Sequence, residues 1–81
     1  MSSKRDMLSM ELLNAQREYD DLIEEEYGIQ KRLDDLDLPQ DELTSSQIAK
    51  IKRSHKEDLR RTKHARKKKE ERITILRYVL E

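Results

Sequence analysis

The chain has no cysteine, no tryptophan and no phenylalanine, and only one glycine and one proline in 81 residues. Without cysteine there are no disulfides, thiolate metal sites or cysteine nucleophiles, and the composition is that of an intracellular protein. Three tyrosines are the only aromatics, so aromatic side chains cannot anchor a large core. No apolar run approaches the roughly 20 residues needed to cross a bilayer, and Met1-Ser2-Ser3-Lys4-Arg5-Asp6 contains no apolar secretory stretch. These absences point to a cytoplasmic or nuclear chain with no membrane association.

Charge is abundant: 44% of residues are Asp, Glu, Lys or Arg, against 33% hydrophobic. That ratio is too polar for a globule with its own sizeable core, and it leaves a thin apolar seam as the alternative. Ala, Glu, Lys, Leu and Arg account for 42 of 81 residues, about the half expected of coiled coils and long helices. Disorder competes with this reading, because Leu, Ile and Val total only 18. Regular apolar spacing and a net charge of zero argue against it.

The charges are sorted by halves. Residues 1–43 carry 13 acidic and 5 basic side chains, and residues 44–81 carry 13 basic and 5 acidic ones. The sign changes near Pro39, which interrupts helical hydrogen bonding and turns the chain. Two helices of opposite charge folded back on one another satisfy both observations, as does antiparallel pairing between chains.

From Leu8 onward, Leu12, Ala15, Tyr19, Leu22, Glu26, Ile29, Leu33 and Leu36 alternate in steps of four and three, and only Glu26 departs from an apolar stripe. Met10, Leu13 and Ile23 widen the apolar face beyond what a two-stranded seam needs, which suggests a third or fourth helix. Gly28 costs a helix interior about 1 kcal/mol relative to Ala, so it marks either a close helix approach or a weak point. Thr44-Ser45-Ser46-Gln47 matches the capping box and starts a second helix, while Asp37 with Gln40 could cap a short turn around Pro39. The second seam, Ile48, Ile51, His55, Leu59, Thr62, Ala65 or Arg66, Lys69, Ile73, Leu76 and Leu80, is apolar at its ends and polar in its middle, with a stutter after His55.

The expected architecture is therefore a single all-α module spanning residues 1–81, an antiparallel helical hairpin or coiled coil. It has helices over 5–36 and 44–81 and a proline loop over 37–43, and it assembles into a dimer or larger bundle. The last residues carry no Gly or Asn stop, and the sequence reads as part of a longer protein. In a fold-back register, partner residue numbers sum to about 84, which sets Leu33 against Ile51, Ile29 against His55, Leu12 against Ile73 and Leu8 against Leu76. The same register brings Glu18, Asp20, Asp21 and Glu24 near Arg60, Arg61, Lys63 and Arg66, and Asp34 and Asp35 near Lys50 and Lys52. Exposed pairs contribute only ~0.2–1 kcal/mol each, so they select orientation more than they stabilise.

Catalytic constellations do not emerge. Glu24, Glu25 and Glu26 could do acid/base work only in a pocket that separates their pKa values, and a hairpin offers none. His55 and His64 are nine residues apart, off the four-residue spacing of a helical zinc pair, and no cofactor or metal is expected. His55 falls on the seam and His64 on the surface. The run Arg60, Arg61, Lys63, Arg66, Lys67, Lys68, Lys69 reads as a face neutralised by the acidic helix, as a nuclear import patch, or as a phosphate-binding strip. Zero net charge, the competing acidic half and the lack of interleaved aromatics disfavour nucleic acid. The expected function is non-catalytic protein–protein interaction, by homo-oligomerisation or through a helical partner chain, in a scaffold. Partner contact is assigned to Met7, Leu8, Met10, Leu12, Leu13, Tyr19, Leu22, Ile73, Leu76, Tyr78 and Leu80, most of them at the hairpin's open end.

Overall fold

Thirty-two residues of helix, a proline turn and thirty-six residues of helix give a rod of 63 × 17 × 14 Å in the computed structural model, which describes residues 3–39 and 41–81. Helix α1 runs Lys4–Asp35 and α2 runs Ser45–Leu80, each end lying one residue from the expected limit. The two pack against each other within one chain as an antiparallel hairpin.

Local chemistry explains where each helix begins and stops. Ser3 caps α1, its hydroxyl accepting from the Asp6 amide at 3.2 Å, and the Asp6 carboxylate favours the positive end of the helix dipole. At the other end the ladder tightens to three-residue bonds, Asp37 amide to Asp34 carbonyl at 3.1 Å and Leu38 amide to Asp35 carbonyl at 3.2 Å. Pro39 follows and has no amide to continue it. Both halves of the α2 capping box form: the Gln47 amide donates to the Thr44 hydroxyl at 3.2 Å, and the Thr44 amide donates to Gln47 Oε1 at 2.9 Å. Any cap made by Asp37 with Gln40 lies outside the described residues.

Every expected seam position of α1, from Leu8 to Leu36, is buried or half-buried, and so is every one from Ile48 to Leu80 on α2. The buried side chains divide into two apolar clusters. Toward the open end Ala15, Ile73 and Leu76 pack with Leu8, Leu12 and Tyr19, and Leu76 is only 2% exposed. Toward the loop Ile29, Leu33 and Leu59 form the second.

The register is as expected at the open end and different nearer the loop. Leu12 and Leu8 share a cluster with Ile73 and Leu76, and Arg72 bonds Glu11 at 2.8 Å. Ile29, expected opposite His55, instead clusters with Leu59, one turn further along α2. Glu18 pairs with Lys69 rather than with the cations at 60–66, and Lys52 reaches the loop residue Asp37 at 2.6 Å. In the middle of the rod Glu26, the one charged interruption of the α1 seam, meets Arg66 of α2 at 2.7 Å. The fold-back register of 84 does not allow that match.

Gly28 is not a point of close approach, since a Cβ built there would meet nothing within 4 Å.

Candidate interaction surfaces

Three surfaces follow from this packing: a polar layer inside the seam, an apolar end and a basic edge.

The polar layer occupies the gap between the two clusters. Arg66 Nε donates to Glu26 Oε2, and the two side chains are only 29% and 22% exposed. The neighbouring Tyr19 hydroxyl is the larger influence, and with Glu26 it raises the Arg66 guanidinium above its ordinary value. Glu70, on the next turn of α2, stands 3.9 Å from the same guanidinium. Thr62, buried at 6% exposure, satisfies its hydroxyl by donating to the Asp58 carbonyl at 2.9 Å. His55 is less well served: its Nδ1 is buried and has no hydrogen-bond partner among the described residues. Half-charged layers of this kind fix register at some expense of stability.

The open end of the rod is apolar on its outside as well as its inside. Of the eleven residues assigned to partner contact, Leu8, Leu12, Tyr19, Leu22, Ile73, Leu76 and Leu80 line the intramolecular seam. Met7, Met10, Leu13 and Tyr78 face solvent, at 60%, 60%, 43% and 83% exposure. Sequence reasoning did not separate out Ile75 and Val79, which are also exposed. Their spacing carried the signal, because Ile75 and Val79 fall between the seam positions Ile73, Leu76 and Leu80. Met7, Met10 and Leu13 are three apart and form one ridge on α1, while Ile75 neighbours both Tyr78 and Val79 on α2. Ile23 and Tyr27 continue the exposed apolar surface further along α1, in an open groove of about 450 Å³ shared with Glu26, Gln30, Lys63 and Arg66.

The basic run is divided by the fold. Arg66 and Lys69 turn inward to Glu26 and Glu18, and Arg60 and Arg61 pair with Glu57 on their own helix, Arg60 at 2.6 Å. Lys63, Lys67 and Lys68 are exposed and make no ion pair among the described residues. The Lys52 ammonium, through its hydrogen bond, holds the Asp37 carboxyl below its ordinary 3.8, and Arg60 does the same to Glu57 from 4.5.

Among the described residues no cluster of three or more His, Cys, Asp or Glu has metal-holding geometry, and no helix is long and apolar enough to cross a membrane. No protein-family model, curated protein or solved structure matches the chain.

Proposed function

We propose that this chain is a non-catalytic protein–protein interaction module, a helical hairpin that docks through its open end onto a second copy of itself within an intracellular assembly. The observation that carries the reading is the exposure of Met7, Met10, Leu13, Ile75, Tyr78 and Val79 together at one end of a rod whose own seam is already filled. An apolar surface repeated on both helices is what a helical bundle buries between hairpins. The copy is favoured over an unrelated partner because the chain is electrically neutral as a whole, so two copies meet without net repulsion. Met-rich ridges also repack readily against a facing helix.

The reading predicts that Leu13→Glu combined with Tyr78→Glu abolishes self-association while helical content stays at the wild-type level. Self-association unchanged in that variant would refute the assignment of the interface to the open end.

A further inference from the structure

The outer edge of α2 carries a feature that the interaction reading does not use. Arg53, Lys56, Arg60, Lys63 and Lys67 follow one another in steps of three, four, three and four, so they lie along a single ridge of the helix. All five are exposed. The ridge spans about 21 Å at 1.5 Å per residue. The basic residues that reach across to α1 or the loop are others: Lys52, Arg66, Lys69 and Arg72. Within the ridge only Arg60 has an ion partner among the described residues, Glu57 of its own helix. Four cations are left without one.

We infer that this ridge is a sequence-independent binding site for the phosphate backbone of a nucleic-acid duplex. Zero net charge argues against such a site only if the acidic residues lie within electrostatic reach. Those nearest the ridge, Glu57, Glu26 and Asp37, are already paired, with Arg60, Arg66 and Lys52. The fold thus gives a neutral chain a ridge of five exposed cations.

A second copy's acidic surface is the competing occupant, and charge density decides between them. Carboxylates on a protein surface form exposed, individually weak pairs. A duplex presents one phosphate per about 1.7 Å with a condensed counterion layer whose release drives binding. The ridge contains no aromatic side chain, which removes the stacking that single-stranded sites use and leaves the duplex backbone as the ligand. This inference is independent of the open-end interface, since the two surfaces share no residue.

The test is titration of the full chain with a mixed-sequence DNA duplex of about 20 base pairs at 50 and 200 mM salt. Four phosphate contacts correspond to a logarithmic salt slope of about −3.6, so affinity should fall about a hundred-fold between the two conditions. The variant R53Q/K56Q/K63Q/K67Q should lose duplex binding while its dichroism spectrum stays helical. The α1 variant D20N/D21N/E24Q should bind the duplex at least as tightly as the wild type does. No binding at 50 mM salt, a slope weaker than −1, or undiminished binding by the ridge variant would each overturn the inference. Displacement of the duplex by polyglutamate at equal charge concentration would also overturn it, by assigning the ridge to an acidic protein.

Discussion

Glu26, the one charged interruption of the α1 seam, meets Arg66 of α2 across the hairpin at 2.7 Å. Each alone would be a defect. Together they form an ion pair that the register suggested by apolar spacing does not allow. A partly buried ion pair breaks even at best against an apolar pair, whereas removing one partner leaves a desolvated charge. Either Glu26→Leu or Arg66→Leu should therefore lower the thermal midpoint, and the double variant should melt above both and at or above the wild type. The double variant melting below either single one contradicts this.

The unpartnered Nδ1 of His55 is a second place where polarity is costly. At a seam position, replacing the ring by leucine removes a buried polar atom that has no bond to lose. His55→Leu should raise the unfolding free energy by about 1 kcal/mol, read from urea denaturation. A lower urea midpoint would mean that the imidazole has a partner that the fold does not reveal.

Gly28 sits in the interior of α1 with open space where a side chain would go. Gly28→Ala should stabilise the chain by about 1 kcal/mol through the lower backbone entropy of alanine, with an unchanged dichroism spectrum. An unaltered or lower midpoint would show that the glycine is needed for packing.

Acid should weaken the fold through carboxylates whose cationic partners hold them ionised. Lys52 depresses Asp37 from 3.8, and Arg60 depresses Glu57 from 4.5. A carboxyl with a folded pKa below its unfolded one contributes stability that is full above the unfolded value and is lost as pH falls through the folded one. The thermal midpoint should accordingly drop as the pH is lowered below about 4.5. Asp37→Asn should flatten the part of that decline lying below 3.8, by a small amount because both side chains are exposed enough for solvent to screen them. An identical pH profile in the variant would exclude Asp37 as a contributor.

Much of this fold is legible in the residues. The alternation from Leu8 to Leu36 marks the buried face of α1, Pro39 the turn, and Thr44 with Gln47 the start of α2, because each depends on chemistry within a few positions. The register near the loop depends instead on which distant side chains meet. Glu26 read alone is a flaw in a stripe; only beside Arg66 does it become a constraint. The surfaces are less legible for a similar reason. Leu8 and Met7 are both assigned to partner contact in the sequence reading, although the seam spacing already places Leu8 inside the hairpin, and the structure buries Leu8 partly while leaving Met7 exposed. Net charge conceals the basic ridge, since a sum over residues discards where on the helix each charge sits.

Self-association through the open end is the claim on which the functional account rests, and molar mass by light scattering across a concentration series, with helicity recorded on the same samples, tests it most directly. The account predicts a helical species of at least twice the 9.8 kDa chain mass that gives way to monomer on dilution. A fully helical species that stays at 9.8 kDa at every concentration would contradict it and pass the apolar end to a different protein.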